Sequence, residues 1–405
     1  MMLKKVFLLL VLIGAITGNL FSQQSDSARL ASVIPELFKR LKISGLLQTQ
    51  YQSFQTAPGG ITDRISIRRA RLKFTYAAGF TQFVMQFHTT EKNVGPDELY
   101  LMLTDPWTKT LSLSSGVFNR PFGNEIPYSA SALESDERAR IIRTLFPLEK
   151  DLGAMLSFHP KTTSPFSLLY IDAGIFNGTG PANEDFDNRK NFIGHIYTKN
   201  GRLGDLVSFG GGLSWYKGGF SNQRTRHYEW ENGFVPVMND SLALSEQDLK
   251  GVDAQMSFNW SFGLTRMRFE YINGAQAGTV ESTTTPSKAP ANKSGQPLPS
   301  YLRNCSGGYL IFIQELLKGK LQLVFKYDWY DPNTEVSGRN IGLGNGTGVA
   351  DILYHNYGMG VNYKIDKNIR ATACYNFVKN ESTSLDGYNS DVQDNNFVLR
   401  LQYAF

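Results

Sequence analysis

The sequence predicts an all-β fold: a transmembrane antiparallel β-barrel of about sixteen strands, with one connection folded inward as a constriction loop. Three observations carry that expectation. A short apolar leader marks the chain for export, side-chain character then alternates with a period of two as far as Phe405, and short turns alternate with long polar connections. The composition agrees. Of 405 residues, 41% are hydrophobic, 13% aromatic and 19% charged, which excludes a disordered chain. Two cysteines exclude a disulfide scaffold and a cysteine-built metal site.

Residues 1–22 read as a signal peptide. Lys4 and Lys5 form a positive start, Val6 to Ile16 is apolar, and Thr17, Gly18 and Asn19 close the run, which is too short to span a bilayer. Cleavage is expected after Ser22. No cysteine follows, as a lipoprotein anchor would require. Loss of these residues removes two lysines and no acid, lowering the formal charge from +5 to +3. Residues 23–42 form a leader. Leu30, Ile34, Leu37 and Leu41 lie at helical spacing, with Pro35 interrupting them, so the leader is either a short periplasmic helix or a partly ordered segment. The barrel domain is 43–405.

Strands are expected near 43–54, 65–77, 80–89, 98–104, 109–118, 152–159, 166–176, 191–199, 205–217, 251–262, 264–273, 307–317, 320–330, 356–365, 368–378 and 396–405. In the last of these, Phe397, Leu399, Leu401, Tyr403 and Phe405 share one parity, while Val398, Arg400, Gln402 and Ala404 share the other. Successive side chains of a strand point to opposite faces, so one face is apolar with aromatic ends. A soluble sandwich would alternate too. Aromatic residues at strand ends, polar residues and glycines on the second face, and the asymmetry of the connections favour a barrel in lipid around a wet lumen. Short turns are expected at Lys161–Pro165 and Lys318–Lys320, and long connections at Phe220–Lys250 and Val280–Cys305. Sixteen strands leave an aqueous channel, where about eight would be filled by side chains.

With the aromatic parity toward lipid, the channel wall carries Arg69, Arg71, Lys73, Arg266, Arg268, Lys326, Lys364, Arg370 and Arg400. Against these nine bases stand four acids, Asp172, Asp253, Glu270 and Asp328. A cationic wall raises the local concentration of anions, and rows of Arg and Lys are how pores select them. Arg69, Arg71 and Lys73 alternate on one strand about 6.8 Å apart, close enough to hand an anion along. Pairing with lumenal acids, such as Arg268 with Glu270, is the alternative.

The constriction is expected in the connection Asn119–Asp151. Glu134–Arg143 is charged and free of Gly and Pro, which suggests a short helix capped by Ser135. Arg120, Arg138, Arg140 and Arg143 share this connection with Glu125, Glu134, Asp136 and Glu137. The arginines either anchor the loop through salt bridges or line an eyelet.

Several segments resemble the phosphate-selective porin O/P family, in members of the Bacteroidetes type. Ile67-Arg68-Arg69-Ala70-Arg71-Leu72 is similar to the family's early strand. Gly116-Val117-Phe118-Asn119-Arg120-Pro121-Phe122-Gly123 is similar to the strand entering its constriction loop. Glu137-Arg138, Leu145-Phe146-Pro147 and Lys150-Asp151-Leu152-Gly153 are similar to the loop's return. Gly251 to Gln255, Arg268 to Gly274 and Lys326 to Thr334 resemble later strands. The resemblance implies a sixteen-stranded barrel in the outer membrane of a Gram-negative bacterium. It further implies a homotrimer that passes small anionic solutes such as phosphate. The long Val280–Cys305 connection shows none of the arginine ladder known from the family.

Other chemistry is not indicated. Gly342-Leu343-Gly344-Asn345-Gly346-Thr347-Gly348 lacks the lysine of a nucleotide-binding loop and reads as a flexible extracellular loop. Five scattered histidines, and the absence of G-x-S-x-G and H-E-x-x-H, point away from an enzyme, a metal and a cofactor. Nucleic acid is not an expected partner, because the bases alternate with apolar residues. Cys305 and Cys374 are far apart in sequence, which leaves their pairing open. Passive diffusion of small hydrophilic solutes, with a preference for anions, is the expected function. The alternatives are a loop-plugged barrel with a structural or binding role and, remotely, a lipid hydrolase.

Overall fold

The structure is a computed structural model, and its described residues are 39–55, 62–91, 94–181, 183–221, 226–237 and 244–405. The expected signal peptide 1–22 and residues 23–38 of the leader lie outside them. Leu41 and Lys42, counted with the leader's helical pattern, already belong to the first strand.

The strands are β1 (Leu41–Phe54), β2 (Asp63–Ala78), β3 (Thr81–Thr89), β4 (Val94–Thr104), β5 (Leu111–Asn119), β6 (Lys150–Phe158), β7 (Tyr170–Phe176), β8 (Asn191–Leu203) and β9 (Val207–Ser221). They continue with β10 (His227–Trp230), β11 (Phe234–Pro236), β12 (Leu244–Trp260), β13 (Gly263–Gly278), β14 (Ser300–Leu316), β15 (Leu321–Asp331), β16 (Tyr354–Lys364), β17 (Ile369–Asn380) and β18 (Asn396–Ala404). Sixteen form an antiparallel wall, in which each strand pairs with its neighbour and β18 returns to pair with β1. β10 and β11 are a small hairpin within the β9–β12 connection, which the alternation did not predict. Closure leaves the wall no open edge, the condition for strands to cross hydrocarbon.

All sixteen expected strands are present, with shifted ends. β12 begins at Leu244 and β14 at Ser300, so the two long connections are shorter than expected. In the added part of β12, Glu246, Gln247 and Asp248 are polar on both faces, so the alternation that reveals the rest of the strand is missing there. β7 begins at Tyr170, and the expected turn at Lys161–Pro165 widens to the whole segment 159–169.

The outer face is apolar. Leu399, Leu401 and Tyr403 on β18 are 49%, 51% and 46% exposed, and Tyr357, Met359, Val361 and Tyr363 on β16 are likewise exposed. The side chains between them, Arg400 and Gln402 on β18 and Asn362 on β16, are buried inside the barrel.

The interior is not empty. Residues 120–149, between β5 and β6, fold into the lumen. Phe122, Ile126, Ile141, Ile142, Leu145 and Phe146 of this loop pack with inward residues of the far wall, among them Ile193, Tyr216, Leu249, Ile272 and Ile311. This explains why Tyr309 to Ile313 on β14 is apolar on both faces: one side meets lipid and the other the loop. The loop's helix runs from Arg140 to Leu145, later than expected. Its N-cap is Ala139, without a side-chain cap, and the hydroxyl of Ser135 donates to the carbonyl of Glu137 instead.

Candidate functional site: a loop clamped inside the barrel

Two β-bulges position the loop. In the β1–β2 ladder, Gln48 faces Arg69 and Thr49 faces Ile67, so Arg68 has no partner. An extra residue of this kind shifts the side-chain phase by one. Ile65 and Ile67 point outward before it, Leu72 points outward after it, and Arg68 and Arg69 both turn inward. In the β3–β4 ladder, Gln86 faces Glu98 and Phe87 faces Pro96, so Asp97 is the extra residue. Asp97 and Glu98 then both point inward and are both buried. One bulge thus presents two adjacent cations to the lumen and the other two adjacent anions.

Each bulge grips the loop residue of opposite sign. Arg68 donates to both carboxylate oxygens of Glu137, with Nη2 at 2.7 Å, while Arg69 and Arg400 reach the same carboxylate at 3.2 and 3.1 Å. Burial alone would push this carboxyl up, but Arg69, Arg68 and Arg400 outweigh that and hold it well below the ordinary carboxylate range. At the loop's return, Lys150 lies 2.9 Å from Asp97 and 3.7 Å from Glu98. Arg71 joins Asp97 at 3.0 Å and Lys73 joins Glu98 at 2.6 Å.

Further contacts fix the rest of the loop. Arg268 and Arg266 meet Glu134, and Lys326 meets Glu125 at 3.2 Å. Glu270 accepts the backbone N–H groups of Asn124 and Glu125. Gly123 stands beside that carboxylate with φ of 61°, a conformation and a closeness that leave no room for a side chain. Asn376 donates to Asp136, and Arg370 donates to the carbonyl of Leu133 and to Gln402.

Of the nine wall bases read from the sequence, seven meet carboxylates: Arg69, Arg71, Lys73, Arg266, Arg268, Lys326 and Arg400. The expected Arg268–Glu270 pair does not form, because Glu270 is taken by loop amides. Lys364 is exposed at the short-turn end. Among the loop arginines, Arg120 is buried beneath the Phe146 ring and donates to the carbonyl of Pro147. Arg138 donates to the carbonyls of Glu125 and Tyr128 and pairs with Glu149. Arg140 lies flat on the Tyr354 ring, and Arg143 is exposed.

The alternation missed Arg68, Asp97 and Glu98, whose facing depends on the bulges. It also passed over Glu149 and Lys150 as anchoring partners. Opposite the loop's anchorage, the wall carries His159, Asp172 and Tyr197 in mutual contact and His195 against Asp253 at 2.8 Å. Both cysteines are free and buried.

Cavities remain on both sides of the loop. One, of about 430 Å³, lies toward the short-turn end between the loop and β4–β9, with Lys73, Glu98, Asp172 and His159 in its wall. It shares Lys73, Glu98 and Tyr128 with a neighbouring space of about 280 Å³. On the long-loop side, about 210 Å³ opens beside Arg140, Arg143 and Asn376.

Solved structures share this architecture. The chain is similar to OmpF of Salmonella typhi in complex with daunomycin, at 11% identity and a TM-score of 0.55, over 90% of this chain and 97% of that one. A porin refined at 1.8 Å resolution matches at 11% identity and 0.50, over 90% and 100%. In-vitro folded OmpT of Vibrio cholerae matches at 12% and 0.50, over 90% and 97%. The fold is that of the outer-membrane porins. No protein-family model matches the sequence, and no curated protein does.

Proposed function

We propose that this protein is a passive diffusion porin of the Gram-negative outer membrane, exported through its signal peptide and assembled as a homotrimer in lipid. The observation that carries the reading is a closed sixteen-stranded wall, apolar outside, whose inward loop leaves cavities on either side with charged side chains in their walls. Solutes move down their gradients, filtered by size at the loop and biased by the charge around it. The preferred solutes are small anions, phosphate among them, as the family resemblance implies. The ion pairs of the loop and its anchorage support that preference, since ten bases share seven carboxylates there. Within these ion pairs cations therefore outnumber anions, even though few of the bases stand alone.

Planar-bilayer recording tests this. Stepwise conductance with a reversal potential favouring anions is the expected outcome, and exchange of Arg69, Arg71 and Lys73 for Gln lowers the preference. The dense anchorage of the loop favours one other reading, a plugged barrel with a binding or structural role. Correctly folded protein that gives no steps would establish it.

A further inference from the structure

We propose that the inner wall on the short-turn side of the constriction loop carries a binding slot for a planar aromatic solute, between Met102 of β4 and Met155 of β6 and over Ser114 of β5. The slot goes beyond the preference for anions, and its part in transport rests on the diffusion-pore reading.

Strand register builds the slot. Met102 faces Ser114 across the β4–β5 ladder, and Ser114 faces Met155 across the β5–β6 ladder, so the three form one row. Leu101, Leu113 and Leu156, one place along each strand, are exposed on the lipid side, so the row points into the lumen. All three residues line the cavity of about 430 Å³. Thioethers are out of pattern there. The other described methionines, Met85, Met256, Met267 and Met359, share the outward parity of their strands.

The spacing suits a ring. Two strand spacings of about 4.8 Å separate the backbones of Met102 and Met155. A flat ring standing over the small Ser114 side chain then lies about 5 Å from each, the separation at which a thioether sulfur meets an aromatic ring. The slot also has two unlike ends. In the row toward the loop, Tyr100 faces Gly116, which faces Gly153. That end is closed by the rings of Tyr100, Phe118 and Phe176, packed edge to face with centroids 5.7 and 5.5 Å apart. In the row toward the short turns, Ser112 faces Ser157, which faces Asp172 of β7. Asp172 accepts from the Tyr197 hydroxyl at 3.0 Å and meets His159 at 2.9 Å. One edge of a bound ring therefore meets apolar atoms, and the other meets hydroxyls and a carboxylate. An inorganic anion gains nothing from such a slot, whereas a ring bearing one hydrogen-bonding substituent matches both ends.

Benzamide, an uncharged planar ring with one amide, is the probe. Saturation-transfer NMR on the folded full-length protein in detergent micelles, measured against empty micelles, reads binding. Bilayer recording reads interruptions of the open current. Wild type shows both. The double variant Met102→Gln, Met155→Gln keeps side-chain length in a wet wall and weakens benzamide binding by about three-fold or more. Ser114→Leu fills the floor of the slot and abolishes binding. Heat-modifiable migration on a gel checks that each variant is folded. Glucose, which has no aromatic face, shows no dependence on the two methionines. Equal affinity for benzamide in wild type and both variants would overturn the slot while leaving the pore reading in place, as would a wild type that conducts and binds no benzamide. A wild type that binds benzamide without conducting would overturn the pore reading and leave the slot.

Discussion

The bulges of β2 and β4 are built alike and wired differently. Each adds one residue to a ladder and turns a lone inward charge into an adjacent pair. At β2, three guanidiniums, those of Arg68, Arg69 and Arg400, converge on the single carboxylate of Glu137. At β4, the single ammonium of Lys150 lies between two carboxylates, and each of these has a second cation, Arg71 or Lys73. The first clamp has no substitute for its central residue, whereas the second does. Similar geometry therefore gives one fragile grip on the loop tip and one redundant grip on the loop's return.

The strongest test of that contrast is Glu137→Ala. It leaves three cations facing one another, two of them almost fully buried, and is expected to cost of the order of 3 kcal/mol once the partial exposure of Glu137 is allowed for. The loop tip should loosen and single-channel conductance rise. Denaturant unfolding and bilayer recording read the two effects. The pH dependence has a definite sign. The folded-state value for Glu137 is depressed, so its contribution is complete above the unfolded carboxyl value of about 4.3 and disappears only as pH falls through the much lower folded value. The stability gap between wild type and Glu137→Ala should therefore stay constant from pH 7 to about 4.3 and close only in stronger acid. A gap that closes near pH 6 would contradict the clamp.

Lys150→Met should do far less. Asp97 keeps Arg71, Glu98 keeps Lys73, and a buried ammonium no longer has to be held out of water, so a loss of at most about 1 kcal/mol is expected by denaturant unfolding. A cost equal to that of Glu137→Ala would show that the two clamps are not wired differently. The smallest effect is expected outside both, at Asp105 in the β4–β5 turn. It accepts the backbone N–H groups of Leu111, Thr110 and Thr108, which hold its carboxyl below the usual range. Asp105→Ala should lower the melting temperature slightly at neutral pH. That difference should fade in acid, because a depressed carboxyl loses its contribution as pH falls.

The barrel was legible because lipid and water on opposite faces impose a strict alternation, as the run from Phe397 to Phe405 shows. The site was legible in part. The connection Asn119–Asp151 stood out by its length and charge, but partner choice within it did not. A bulge is one unpaired residue whose effect is to break the very pattern used to find strands, so Arg68 fell on the outward parity and Asp97 fell before the expected strand 98–104. The loop's helix was placed too early because Ser135 looked like a cap. The helix is set instead by Ile141, Ile142 and Leu145, which bury against a wall contributed by strands far along the chain. Such tertiary contacts leave no local trace.

Fifteen of the sixteen wall pairings join strands that follow one another around the ring, and one joins β18 back to β1. Among the described wall pairings that joint spans the whole chain, and long-range closures are the slow steps of folding. The constriction loop lies across it. Ala130 accepts from Gln48 on β1, Ser131 accepts from Gln402 on β18, and Glu137 ties Arg400 of β18 to Arg68 and Arg69 of β2. The element that narrows the passage is also a splint across the seam. Drawing it out of the lumen would strip these ties from the seam and leave the backbone ladder between β1 and β18 to hold the cylinder closed by itself.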